Sequence, residues 1–194
     1  MARKKVKGLS FYQPKKRVSS SVFYEIFICI VWMVIAAFLA GVLVYFYGMK
    51  TYVVGSSMEP VLYSGQTILM DRFAYVLGKP KVGDIVIFLP KGNEKSHYYV
   101  KRVVAGPGDM VQIRDGVLYV NGEVSEFAPE GITEPGIAKN PLILDNGQYF
   151  CIGENPQDGE DSRHANIGPV SKTDIVGRAW FHLSHGEEPM GFVQ

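Results

Sequence analysis

The sequence predicts a mainly β domain carried on one N-terminal transmembrane helix, and three observations lead there. Residues 26 to 46, IFICIVWMVIAAFLAGVLVYF, carry no charge and are long enough to cross a hydrocarbon core of about 30 Å. Beyond Tyr47 the chain breaks into short β-branched and aromatic runs separated by Gly, Pro, Asn and Asp. Among those runs, Asp115-Gly116 suits a two-residue hairpin and Gly106-Pro107-Gly108 a sharp corner. With 194 residues, 47% hydrophobic and 20% charged, the chain has room for one medium domain plus an accessory segment.

The ends of the apolar run read as membrane boundaries. Phe23 and Tyr24 precede it and Tyr45 and Tyr47 close it, as amphipathic rings do at the lipid surface. The net charge of +1 hides an asymmetry: residues 1–25 hold seven Lys or Arg against Glu25 alone, leaving 13 basic and 18 acidic residues beyond. A basic arm directly before an apolar run points to anionic lipid rather than nucleic acid. Because only Lys50 follows closely, the positive-inside rule puts the N-terminus in the cytoplasm and the rest of the chain across the membrane. A cleaved signal peptide is the competing reading. It has less support, because the run exceeds the usual length of about 7 to 15 residues and GMKTYVVG offers no clear small-x-small site. The expected division is a cytoplasmic arm (1–25), a single-pass anchor (26–47) and an extracytoplasmic β-rich domain (48–194).

Strands are expected at Thr51 to Val54, Thr67 to Phe73, Asp84 to Leu89, Tyr98 to Ala105, Met110 to Arg114, Val117 to Val120, Tyr149 to Gly153 and Ile175 to Phe181. Residues 123–147, with three prolines and few runs, read as a long surface loop or insertion. Cys29 lies in the apolar run, away from Cys151, so no disulfide framework is expected. Neither C-x-x-C nor H-E-x-x-H spacing occurs, and no metal or other cofactor is expected.

Three segments hold candidate chemistry. In Gly55-Ser56-Ser57-Met58-Glu59-Pro60 a glycine permits positive φ, so amides near Ser57 can converge on one point, as an oxyanion requires. In the strand from Tyr98 to Val104, a period of two puts Tyr99, Lys101 and Val103 on one face. If that face is inward, apolar surroundings disfavour the Lys101 ammonium and a neutral amine can take a serine proton; if outward, Lys101 is a solvated charge. The strand is not expected to bury both Lys101 and Arg102. In the polar loop from Gly153 to Arg163, Asp161 and Arg163 are spaced to pair and fix the loop.

Together and in this order, the segments resemble the bacterial type I signal peptidases, membrane serine endopeptidases that remove signal peptides. The G-x-S-M-x-P box is similar to Gly55 to Pro60, the G-D-I-V box to Gly83 to Val86, and Y-x-K-R-x-x-G-x-P-G-D to Tyr99 to Asp109. A recurrent D-G-x-x-x-x-N-G matches Asp115 to Gly122, and the closing G-D-N…D-S-R box resembles Gly153 to Arg163. The resemblance implies a signal-peptidase-like β-rich fold with Ser57 as nucleophile and Lys101 as general base. It further implies the Ser57 amide as an oxyanion donor, Met58 and Tyr99 bordering the substrate site, and an Asp161–Arg163 pair supporting the last loop. Gly55 stands where some members place a second donor on a serine side chain, so that donor is left unassigned. Glu154 replaces the usual Asp, Pro156 a frequent Arg, and Gly159 a Ser that hydrogen-bonds the lysine in many members.

The implied partners are preprotein signal peptides and the lipid bilayer of a bacterial cell, with no nucleic acid and no metal; a monomer is expected. Residues around Ser57, Lys81 to Phe88 and Tyr98 to Tyr99 are candidates for the pocket walls. A self-cleaving Ser-Lys repressor protease fits less well, since the chain has an anchor and no DNA-binding helix pair. A dedicated or catalytically impaired relative acting in surface-protein or pilus assembly is the other alternative. A Ser-His-Asp triad is the mechanistic rival, but His97, His164, His182 and His185 all read as surface histidines.

Overall fold

The computed structural model describes residues 20–90, 97–157, 160–186 and 188–193. The basic arm up to residue 19 and Gly159 lie outside them. The chain divides into two compact units, residues 1–41 and 42–194.

One helix, α1 (Ser20–Tyr47), contains the whole apolar run and is long and apolar enough to cross a membrane. Its last carbonyls are satisfied from the β domain rather than left open: the Arg72 N–H donates to Phe46 O (3.0 Å) and Trp180 Nε1 to Tyr47 O (3.2 Å).

The strands are β1 (Met49–Tyr52), β2 (Thr67–Asp71), β3 (Ile85–Phe88), β4 (Tyr99–Ala105), β5 (Met110–Arg114), β6 (Val117–Val120), β7 (Glu123–Val124), β8 (Leu142–Ile143), β9 (Gln148–Ile152), β10 (Val170–Ser171), β11 (Ile175–His182) and β12 (Gly191–Phe192), with a one-turn helix α2 (Ala74–Leu77) after β2. The large sheet runs β1-β2-β11-β3-β4-β9-β10, with β12 added to β11, and the small one β7-β6-β5-β8. All pairings are antiparallel.

Alternation explains how the large sheet is covered on both sides. Ile85 and Ile87 of β3 pack with Met58, Leu62, Ile68, Met70 and Val100, whereas Val86 and Phe88 pack with Val103, Tyr149, Cys151 and Ile175. A strand buried on both faces needs an unbroken apolar run, and IVIF supplies one. At the expected corner Gly108 has φ +87°, and the Gly106 N–H donates to Asp109 Oδ2 (2.8 Å) as β4 passes into β5 of the small sheet. The Asp115-Gly116 hairpin joins β5 to β6 with positive φ at both residues, the pattern of a type I′ turn.

Residues 123–147 depart from the expected surface loop. They carry β7, a 3₁₀ turn at Gly136–Lys139 and β8, and they bury Ile132, Ala138 and Leu144 against Val111, Ile113, Leu118, Phe150 and Ile152. The small sheet has an apolar face that must be covered, and this stretch covers it. Leu144→Ala should therefore lower the unfolding free energy by about 2–5 kcal/mol in denaturant titration. A surface-loop residue would change it by no more than about 0.5 kcal/mol.

Candidate active site

Ser57 and Lys101 come from separate parts of the chain and line one cleft of about 160 Å³, together with Val54, Gly55, Tyr99 and Glu160. Both are almost out of water, Ser57 at 5% exposure and Lys101 at 2%.

The segment holding Ser57 is fixed by its backbone. Gly55 has φ +82°, a left-handed conformation that favours glycine. The Asn155 N–H donates to Ser57 O (3.0 Å), and the Glu59 N–H donates to Ser56 O (3.2 Å). Gly153 crosses so close that a Cβ there would lie 2.5 Å from Ser57 O and 3.3 Å from Ser57 Cβ. Only a residue without a side chain admits that crossing.

Lys101 is placed by β4, the fifth strand along the large sheet, where it pairs with Val86 and alternates with Tyr99 and Val103. The inward reading of that face holds, but the expectation that Arg102 would then be exposed does not. Arg102 is also buried, its Nε donating to Glu154 Oε1 and its Nη1 to Gly83 O (2.8 Å). A strand covered on both faces offers no solvated side for the second cation, so a carboxylate meets it instead. Glu154, the departure from the family's Asp, is that carboxylate.

The closing loop turns on Asp161 and Arg163, which are paired and buried at 0% and 1% exposure. Arg163 Nε and Nη2 reach the Asp161 carboxylate at 2.9 Å, and the Arg163 N–H reaches Oδ1 at 2.9 Å. The same carboxylate accepts from the Gly153 N–H (3.1 Å), and Arg163 Nη1 donates to Pro156 O (3.1 Å). Between them Ser162 Oγ accepts from the Cys151 N–H (3.0 Å). Burial, and after it the nearby Asp161 charge, pushes the Cys151 thiol well above its ordinary range, so it stays protonated.

Tyr99 lines the cleft, stacked between Phe88 (5.7 Å) and His97 (4.7 Å). Met58 does not border it: the side chain is fully buried with Val53, Leu62 and Ile68. Of the expected wall segments, Tyr98 and Tyr99 are present, whereas Gly83, Asp84 and Ile85 face another cavity with Arg178 and Trp180. Val54 and Glu160 are wall residues that the sequence does not single out, and His97, read only as a surface histidine, lines the wall as well; His97 and Glu160 lie beside the lysine box and within the closing box, where proximity points to them. His182 is not a surface histidine, since it is half-buried with Nδ1 hydrogen-bonded to Gln66 Nε2 (2.9 Å).

The profile described as "Signal peptidase, peptidase S26" matches residues 26–183. The chain belongs to the signal peptidase S26 family. Signal peptidase I of Bacillus licheniformis is 32% identical over 165 residues, spanning 76% of this chain and 83% of the relative. Signal peptidase I T of Bacillus subtilis (strain 168) is also 32% identical over 165 residues, spanning 77% and 80%. A crystal structure of a signal peptidase I from Enterococcus faecalis V583 aligns at 28% identity over 52% of this chain and 97% of that one, with a TM-score of 0.40.

For a member of the signal peptidase family, the boxes outside the cleft have plain structural tasks. Asp84 of G-D-I-V accepts from Tyr75 Oη (2.8 Å) and the Lys81 N–H (3.0 Å), closing the turn into β3. Burial, and then the Asp84 charge, pushes the Tyr75 phenol up, so it remains a donor. Asp109 Oδ1 accepts from Asn121 Nδ2 (2.8 Å), while Asn121 Oδ1 accepts from the Met110 N–H (2.9 Å), which ties the lysine box to the N-G turn.

The buried pair makes a specific stability prediction. Arg163→Ala strands a desolvated carboxylate and should cost about 3–5 kcal/mol in the unfolding midpoint analysis. The double variant Asp161→Ala/Arg163→Ala should recover part of that loss, because no charge is left alone; no recovery would mean that the pair's hydrogen bonds, not its charges, carry the effect.

Proposed function

We propose that this chain is a membrane-anchored signal peptidase that cuts N-terminal signal peptides from exported preproteins, with Ser57 as nucleophile and Lys101 as general base. The observation that carries this is the burial of both side chains at one cleft, in a member of a peptidase family. Burial disfavours the charged form of an amine, which suits Lys101 to accept a proton. Ser57 Oγ attacks the scissile carbonyl as its proton passes to Lys101 Nζ. The tetrahedral oxyanion is stabilised by the Ser57 N–H, and its collapse breaks the C–N bond while Lys101 returns the proton to the departing amine. Water, giving a proton to the same amine, then attacks the ester; collapse breaks the bond to Ser57 Oγ, which takes that proton back from Lys101, and the signal peptide leaves as a carboxylic acid that ionises to solvent.

The anchor suits this task, since a preprotein is held in the same bilayer by its own apolar segment. We place the anchor at residues 26–47 of a bacterial cell membrane, the basic arm in the cytoplasm and residues 48–194 outside it. Protease added to spheroplasts should then digest the β domain and spare an epitope tag fused before residue 1; protection of the β domain would reverse the topology. The alternative of an idle relative in surface-protein assembly rests on Gly159 alone and is less favoured, since Ser57 and Lys101 are both present.

Detergent-solubilised protein incubated with a preprotein, with the cut mapped by N-terminal sequencing, tests the chemistry. Ser57→Ala and Lys101→Ala should each lower kcat by at least ~10³-fold. Lys101→Arg should fare no better, because a guanidinium does not give up its proton. Protonating the amine switches the base off, so wild-type kcat/KM should fall as pH drops. Normal cleavage by any of the three variants sinks the dyad.

The crossing at Gly153 yields a separate expectation. Gly153→Ala should displace Ser57 and lower the cleavage rate about a hundredfold, as misplacement by an ångström does. Circular dichroism should stay near wild type, which separates a displaced nucleophile from an unfolded domain.

A further inference from the structure

Where α1 enters the β domain, a cleft of about 410 Å³ opens, lined by Tyr45, Phe46, Arg72, Tyr75, Lys172 and Thr173 among others. It is remote in chemistry from the Ser57 cleft and shares no residue with it. Among the described residues that line it, two are cations and none is acidic. Two carboxylates adjoin lining residues in sequence without lining the cleft: Asp71, which accepts from the N–H groups of Phe73 (2.9 Å) and Ala74 (3.0 Å), and Asp174, between Thr173 and Ile175.

Each cation is held in place and has donors to spare. The Arg72 guanidinium lies over the Tyr45 ring at 5.7 Å, and its backbone is tied to Phe46 O. Lys172 Nζ donates to Gly78 O (2.9 Å), a single acceptor for an ammonium with three N–H bonds. Beside them Phe73 and Val76 expose 38% and 63% of their surfaces, an apolar flank next to paired positive charge. Tyr45 and Phe46 end the apolar run that reads as the membrane span, so the cleft belongs to the chain's interfacial level.

We propose that this cleft binds the phosphate diester of an anionic phospholipid, with Arg72 and Lys172 on the phosphate, Thr173 within reach of the headgroup, and the acyl chains along Phe73 and Val76. A phosphate offers anionic acceptors to both cations, and guanidinium and ammonium are the two side-chain groups that bind it best. The flank selects a lipid over a free anion, because inorganic phosphate has nothing to lay against Phe73 and Val76. The site rests on the membrane-anchor reading but not on the Ser57 and Lys101 chemistry.

The test uses the full chain in neutral detergent, mixed with equal phosphatidylglycerol and phosphatidylcholine and read by native mass spectrometry. The basic arm is the same in every variant, so differences report the cleft. Wild type should retain phosphatidylglycerol more strongly than Arg72→Gln/Lys172→Gln by roughly thirtyfold, about fivefold per cation. Arg72→Lys/Lys172→Arg should keep the preference, and Arg72→Gln alone, which leaves the Lys172 to Gly78 bond intact, should show the intermediate loss. Equal retention by wild type and the double Gln variant overturns the site. Displacement of the lipid by millimolar inorganic phosphate would overturn the lipid as ligand in favour of a plain anion site. Preprotein cleavage in the same detergent should be unchanged in the Gln variants; wild type that cleaves without preferring phosphatidylglycerol overturns this proposal alone, and wild type that prefers the lipid without cleaving overturns the proposed function alone.

Discussion

A carboxylate and a guanidinium, both out of water, organise everything around the candidate nucleophile. Asp161 and Arg163 are too close in sequence to need a fold to find each other, yet desolvating them is costly unless every remaining donor and acceptor is met. The surrounding loop supplies partners, Gly153 N–H on the Asp161 carboxylate and Pro156 O on the Arg163 guanidinium, while the Arg163 backbone carbonyl accepts from the Ile137 N–H (2.9 Å) of the 3₁₀ turn. Gly153 and Asn155, held by this arrangement, are the residues that touch the Ser57 backbone. The pair thus acts on the serine at one remove, through backbone groups, and this is why residues far from any bond-making step sit in so specific a box.

The same pair explains the stretch at 123–147. Gly136 has φ +54°, and a Cβ there would lie 2.1 Å from Arg163 O, so the 3₁₀ turn must come in with no side chain to reach the loop. Having docked, it delivers Ala138 and Leu144 to the face of the small sheet. One segment therefore closes a core and braces the closing loop. Its prolines and lack of runs hide this from sequence, because a covering segment built from isolated contacts has no period to detect.

Legibility followed length. The eight expected strands are all present, each within a few residues, because runs of four or more alternate or stay apolar long enough to register. The missed strands β7, β8, β10 and β12 have two residues each, too few to carry any pattern. Facing was harder than existence. Period two divided β4 correctly, but it could not say that both halves would be buried, since that depends on β4 lying between β3 and β9 with apolar clusters on either side. Met58 shows a related limit: next to Ser57 in sequence, it is buried in the core while Ser57 lines the cleft, and sequence adjacency carries no sign of that.

Two cations buried side by side on one strand pose opposite problems, and their surroundings resolve them in opposite ways. Arg102 cannot shed its charge, so Glu154 and the Gly83 carbonyl are brought to it. Lys101 can shed a proton; along and across the sheet it meets Val86, Tyr99 and Val103, and Glu160 shares its cleft. A strand carrying Lys-Arg in that order thus places a permanent charge where it can be neutralised and a removable one where the proposed mechanism needs a base. Exchanging the two residues would leave at the cleft a guanidinium that does not give up its proton, and an amine facing Glu154 in place of Arg102. On the proposed chemistry the order of the two cations matters as well as their presence, because only the lysine position lines the cleft with Ser57.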